Sequence, residues 1–352
     1  MQSRRAAYAI VVRLIINTNQ EETMKKRRII ITISTLVIIF LLALLTLPKV
    51  LNERSVQDWP SEIERIEYFS SADNTLQPAL FYKPDIQHSS PLLVALHTWS
   101  GDYLQNSSIP YAEWCIENNW IFIHPNFRGP NNNPTATGSK LVIQDIVSAV
   151  EYAKNNSNVD PKRIYLVGAS GGGYTALLVS ALHPDIWTAV SVWVPITDLT
   201  AWYYESEQLK TKYADDIMQS LGGTPDDSSK IATAYKSRSP LTYLNNELSL
   251  PIDINVGIND GHSDNSVPIS HSLLAFNALA ELDDRLSENE ISYLVKQASI
   301  PQHLISPLSD PTYGQKELLF RRNSRNVRIT IFEGGHEIIF NAALNWLAYH
   351  EK

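Results

Sequence analysis

The sequence predicts an α/β protein built on a mostly parallel sheet with helices on both faces. Three observations carry this. Strand-like and helix-period segments alternate over residues 65–350. The strands are near-continuous apolar runs, as strands buried on both faces are. The stretch "RIYLVGASGGGYTALLVSAL", residues 163–182, passes from a β-branched run into a helix through a glycine-rich corner.

The N-terminus stands apart from that plan. Met24 ahead of a basic cluster reads as a natural start, and residues 1–23 as a leader that an over-extended reading frame would add. After "MKKRR" comes "IIITISTLVIIFLLALLTL", residues 29–47, with no charge and closed by Pro48. At about 1.5 Å per residue this run is roughly long enough for a bilayer core of about 30 Å. Cations before the run keep the first segment inside and send the rest outward, so we expect residues 24–50 to be a membrane anchor with the catalytic part extracytoplasmic. A cleaved signal peptide is the competing reading and would give a secreted protein. The run is long for that, and no small-x-small site stands near its end. No nearby cysteine offers a lipoprotein signal.

Past the anchor, strands are expected at 65–71, 78–84, 91–98, 119–125, 163–169, 189–195, 251–257 and 327–334, and helices at 141–155, 172–182, 268–282 and 336–350. The first two strands follow each other without a helix, which predicts an antiparallel edge. Residues 51–352 then form one catalytic domain, with insertions at 196–249 and 283–326. Both insertions follow strands of the second half and are expected over the carboxyl edge of the sheet, where open α/β sheets place their ligand crevice.

Composition excludes several functions. A charged fraction of 19% beside 44% hydrophobic residues is that of an ordinary globular protein. The net charge of −8, with no basic stripe longer than "KKRR", argues against a nucleic-acid groove. One cysteine, Cys115, permits neither an intrachain disulfide nor a cysteine zinc site, and reads as core filling.

The glycine corner has a chemical purpose. A strand turning directly into a helix passes through a cramped backbone, and Gly168, Gly171 and Gly172 leave room for it. Ser170 at the apex then projects above the sheet at a helix amino end, where an unpaired amide favours developing negative charge. Gly-x-Ser-x-Gly on strand, turn and helix is the nucleophile elbow. A phosphate loop is the rival reading, but neither Gly-x-Gly-x-x-Gly nor a following Lys-Ser/Thr is present.

A serine hydroxyl needs a base and an orienting acid, in the chain order Ser, Asp or Glu, His. His336, in "FEGGHEIIF" after the last strand and at the start of the last predicted helix, is the base we select. The acid comes from "DINVGINDGHSDNSVP", which offers Asp260 and Asp264. Asp260, three residues past the strand end, is preferred, and Asp264 stays open. Read as metal ligands, Asp260, His262 and Asp264 lack a fourth partner. A second oxyanion amide is expected from "HTWSGDY", at Trp99, beside that of Gly171. The Trp99 ring also suits a lid over the pocket.

The ordered set "PLLVALHTWSGD", "NFRGPN", "DIVSAVEYAKNN", "VDPKRIYLVGASGGGYTALL", "DGHSDNSVPISHS" and "FEGGHE" resembles the catalytic domain of the prolyl oligopeptidase family, within the α/β-hydrolase superfamily, over about residues 85–350. The resemblance implies an α/β-hydrolase fold with Ser170 as nucleophile, Asp260 as acid, His336 as base, and oxyanion amides at Gly171 and Trp99. It also implies hydrolysis of small esters or short peptides through an acyl-serine, with no metal or organic cofactor. Two departures matter. Family members usually carry a β-propeller before the hydrolase domain, for which the stretch after residue 47 leaves no room, and some place a tyrosine hydroxyl in the oxyanion site where His97 stands here. His97, Trp202 and Tyr203 are candidates for the substrate pocket; packing of "DLTAWYYESEQ" onto the core is the alternative for the last two. Beside peptidase stand a carboxylesterase or acyl-sugar esterase, an acyltransferase at the outer membrane surface, and an inactive membrane-anchored binding module.

Overall fold

The computed structural model of the protein describes residues 59–245, 247–262 and 266–352. The expected leader, the apolar run at 29–47 and Asp264 lie outside the described residues. Among those described, no helix is long and apolar enough to cross a membrane.

Among the described residues nine strands form one sheet: β1 Glu64–Phe69, β2 Leu76–Tyr82, β3 Ser90–Leu96, β4 Ile121–Pro125, β5 Val159–Ala169, β6 Ala189–Trp193, β7 Ile252–Gly257, β8 Leu318–Ser324 and β9 Val327–Phe332. Their spatial order is β1-β2-β4-β3-β5-β6-β7-β9-β8. The run from β4 to β9 is parallel. The antiparallel pairs are β1 with β2, β2 with β4, and β8 with β9. All eight expected strands are present, and the antiparallel edge is where the sequence places it. Every residue of β3, β4, β6 and β7 is buried, which is why these strands read as unbroken apolar runs.

The four expected helices are present among the described residues, with five more beside them. They are α1 Ile109–Glu117, α2 Lys140–Asn156, α3 Gly171–Leu182, α4 Leu199–Leu209, α5 Tyr213–Leu221, α6 Ser229–Ser237, α7 Ser270–Leu279, α8 Glu288–Gln297 and α9 Phe340–Ala348. Local chemistry sets their starts. Ser139 caps α2 by accepting from the Val142 amide, Asp198 caps α4 at Thr200 and Ala201, and Ser287 with Glu290 forms a capping box on α8. Helix α3 is buried at ten consecutive positions, Gly171 to Ser180. It starts at the end of the central strand β5, so the corner between them sits mid-sheet.

The two expected insertions behave differently. Residues 196–249 carry α4, α5 and α6 and reach the loop after β3: Asp216 accepts from the Trp99 indole at 3.2 Å, and Lys212 donates to Ser100 at 2.7 Å. This segment covers the carboxyl edge as expected. Residues 283–326 instead supply α8 and then β8, which extends the sheet as an antiparallel edge strand. That strand was not foreseen. "LLFRRNS" mixes apolar and charged residues because only one side of an edge strand is buried.

Candidate active site

Ser170 stands between β5 and α3 at φ 56°, ψ −121°, a backbone state that L-residues rarely adopt. Two backbone bonds hold it there. Its amide donates to the Trp193 carbonyl at 2.9 Å, and its carbonyl accepts from the Tyr174 amide at 2.8 Å. The corner also demands closeness. A Cβ on Gly171 would lie 2.4 Å from the Trp99 amide nitrogen, and one on Gly172 would lie 2.5 Å from the Leu96 carbonyl oxygen. These glycines let the helix start press against the end of β3.

That pressure brings two amides together. Gly171 is the first residue of α3, so its N–H has no acceptor within the helix. In the facing loop the Thr98 amide is taken by Gln105 Oε1 at 3.0 Å, whereas the Trp99 amide has no acceptor among the described residues. The Trp99 carbonyl is fixed from behind by the amide and side chain of Asn131, at 2.8 and 3.4 Å.

The histidine comes from the loop between β9 and α9. The last helix begins at Phe340, four residues later than expected, so His336 is a loop residue rather than a helix start. This loop is joined to the one after β7 by the Asn259 amide donating to the Gly334 carbonyl at 2.9 Å. Asp260, 1% exposed, thereby meets the imidazole: its Oδ1 accepts from His336 Nδ1 at 2.8 Å and from the Ser266 hydroxyl at 2.7 Å. A carboxylate at Nδ1 places the ring proton there and leaves Nε2 as the basic nitrogen. His262, two residues beyond Asp260, is exposed. Among the described residues no group of three or more metal-ligating side chains is placed to hold an ion.

Ser170 and His336 line one cavity of about 440 Å³. Its walls also include residues to which the sequence assigned no role, among them Gln105, Pro110 and Tyr111 after β3, and Ile338 and Phe340 after His336. Tyr111 and Phe340 pack edge to face with ring centroids 4.8 Å apart. In sequence such apolar residues look like core, and only their placement around Ser170 marks them.

Three expected pocket residues are not on these walls. His97 is fully buried, stacked on Phe127 at 3.8 Å, with its ring nitrogens on the Thr98 and Asn126 carbonyls at 2.9 and 2.8 Å. Burial pushes its pKa down, against the pull of those two carbonyls. Trp202 is packed between Trp99 and Tyr213 and fastens the 196–249 segment to the loop after β3, while Tyr203 packs against Tyr204 and Tyr235 within that segment. The Trp99 ring belongs to the same stack, 2% exposed, and is no lid.

The sequence profile of the prolyl oligopeptidase family matches residues 108–300, more than half of the chain. The chain belongs to the prolyl oligopeptidase family. Among curated proteins it is 31% identical over 123 residues to an acetylxylan esterase of Coprinopsis cinerea, covering 32% of this chain and 33% of that protein. It is 25% identical over 216 residues to a prolyl endopeptidase of Elizabethkingia meningoseptica, covering 58% of this chain and 29% of that one. The matches thus span about a third of these relatives' length. Among solved structures, Pyrococcus horikoshii acylaminoacyl peptidase superposes with a TM-score of 0.55 at 15% identity, over 82% of this chain and 40% of that one. This last likeness shows a shared α/β-hydrolase fold.

Proposed function

We propose that the protein is a serine hydrolase that cleaves esters or short peptides through an acyl-serine intermediate. One observation carries the reading: the Asp260–His336 hydrogen bond ends at the wall of the cavity that Ser170 also lines. His336 Nε2 takes the Ser170 proton as Oγ attacks the carbonyl carbon. The amides of Gly171 and Trp99 receive the oxyanion, each such donor contributing about 3 kcal/mol in comparable sites. His336 then gives the proton to the leaving group, and activates water to release the acid. Asp260 holds the imidazole and stabilises its cationic form.

Within that chemistry a specific observation favours esters. The oxyanion site offers the two amides but no third donor from position 97, because the His97 ring is buried against Phe127 with its nitrogens facing backbone carbonyls and is absent from the cavity lining. The esterase and the peptidase among the relatives make both substrate classes reasonable. A fluorophosphonate probe should label the wild-type protein and not Ser170→Ala. Aryl acetates should be turned over, with a loss on the order of 10⁴ in kcat for Asp260→Asn from the wrong tautomer. Absence of labelling on folded wild-type protein would sink the reading. Amide turnover rivalling ester turnover would return the choice to peptidase.

The charge-free run at 29–47 behind a basic cluster supports an anchor that holds this domain on the outer side of a membrane. Alkaline extraction of membranes should leave the full chain in the pellet, and external protease should reach residues beyond 58. Release into the medium as a shortened chain would instead indicate cleavage.

A further inference from the structure

We propose that the cavity beside Ser170 is a leaving-group site selective for uncharged, apolar alcohols, with the Tyr111–Phe340 pair as its determinant. The inference rests on the serine hydrolase reading above and extends it to the substrate. In acylation the proton from Ser170 must pass through His336 to the departing oxygen, so the leaving group stands on the His336 side of the reacting carbonyl. That side is where the cavity lies: Ile338 and Phe340, immediately after the histidine, line it together with Pro110 and Tyr111, whose ring packs against that of Phe340.

The chemistry of the walls decides what fits. Three of their polar side chains, Thr98, Gln105 and Ser108, are engaged with one another. Gln105 accepts from the Thr98 amide and hydroxyl through Oε1 and donates to Ser108 Oγ at 2.7 Å. Apart from His336 the charged residue on the lining is Glu337, whose Oε1 is paired with Lys316 at 2.8 Å and also accepts from the Gly335 amide. A charged leaving group would find no unpaired counter-charge there, whereas a ring would meet the edge-to-face aromatic pair. The volume of about 440 Å³ admits a group of that size. On the side of the 196–249 segment, Trp99, Trp202 and Tyr213 stack tightly, so that direction offers little room for bulk.

Acetate esters that differ only in the alcohol test this, because the acyl-enzyme is then common to all. For wild type, kcat/KM for benzyl acetate should exceed that for methyl acetate by about ten- to a hundredfold, the range expected for burying one aromatic ring. The ester 3,3-dimethylbutyl acetate should outrun its cationic isostere acetylcholine. Phe340→Ala should cut the benzyl-to-methyl ratio about tenfold, and Ile338→Asp should move the preference toward acetylcholine. Benzyl alcohol should also outcompete methanol as acceptor of the acetyl group, a readout that reports the pocket after the first leaving group has gone. A flat alcohol series in protein that still labels with fluorophosphonate, or a ratio unmoved by both variants, overturns the leaving-group proposal alone. Wild-type protein that neither labels nor turns over any ester overturns the hydrolase reading and this proposal with it.

Discussion

Ser170 pays for its position with backbone strain. At φ 56°, ψ −121° a residue with a Cβ is disfavoured by about 1–3 kcal/mol, and the bonds to Trp193 and Tyr174 keep it there. Glycine adopts this state freely, so Ser170→Gly should be more stable than Ser170→Ala by about 1 kcal/mol although both lack the nucleophile. Urea denaturation of the two variants reads this directly. Equal midpoints would mean that the surrounding bonds carry no strain. The same steric logic explains what the sequence disclosed at this scale. The proposed nucleophile, base and acid sit at glycine-marked strand ends in a fixed chain order, so "GASGG", "GIND" and "EGGHE" could be read without coordinates. Tyr111 and Phe340 could not, since an apolar wall and an apolar core use the same residues. His97, Trp202 and Tyr203 were misplaced for the converse reason: aromatic and imidazole side chains near a site suggest a ligand, yet here they pack.

At the scale of elements, the loop between β4 and α2 braces the proposed oxyanion site from a distance. Phe127, Arg128 and Gly129 have φ of 29°, 79° and 68°, three successive positive values. Arg128 secures this bend, bonding Asp145 at 2.7 Å and Asp73 at 2.8 Å. Burial pushes the Asp145 carboxyl up in pKa while the guanidinium works to lower it. Two residues past the bend, Asn131 grips the Trp99 carbonyl and accepts from the Thr137 amide at 2.8 Å. Asn131→Ala should therefore lower kcat about tenfold with little change in KM, because a tilted Trp99 amide weakens binding of the oxyanion more than of the ground-state ester. An unchanged kcat would show that the loop holds its course without Asn131. Arg128→Ala should act on stability instead, costing about 3–5 kcal/mol by leaving the Asp145 carboxylate buried without its cation. Legibility of elements followed burial. Strands β3, β4, β6 and β7 were plain in the sequence because they are buried throughout, and β5 because of its apolar run Ile164–Val167, while β8 was hidden by the charges of Arg321 and Arg322 in its middle. The helices of 196–249 were hidden by polar faces, as in "SKIATAYKS", where only Tyr235 is buried.

For the molecule as a whole, two buried histidines beneath the active-site loops link the fold to acidity. His124, fully buried on β4, donates from Nδ1 to the Ala95 carbonyl at 2.6 Å, and its Nε2 has no partner. Burial, with a smaller contribution from charge repulsion by the neighbouring His97, lowers its pKa from 6.5 to about 3. The rings around it, Trp59, Phe122 and His97, supply no carboxylate that would welcome a proton. In the folded protein His124 is therefore neutral down to about pH 3, whereas in the unfolded chain it binds a proton below about pH 6.5. The unfolded state thus gains protons that the folded state cannot, and stability falls as pH drops from about 6.5 toward 3, with a slope approaching about 1.4 kcal/mol per pH unit for this residue. Above pH 6.5 both states are neutral at this site and it contributes no pH dependence. His97, lowered by burial in the same direction, adds to the fall. Denaturant titrations at a series of pH values should show this slope in wild type and a shallower one in His124→Gln, whose amide can still donate to Ala95 but cannot ionise. Parallel curves for the two proteins would mean that acid enters the fold elsewhere.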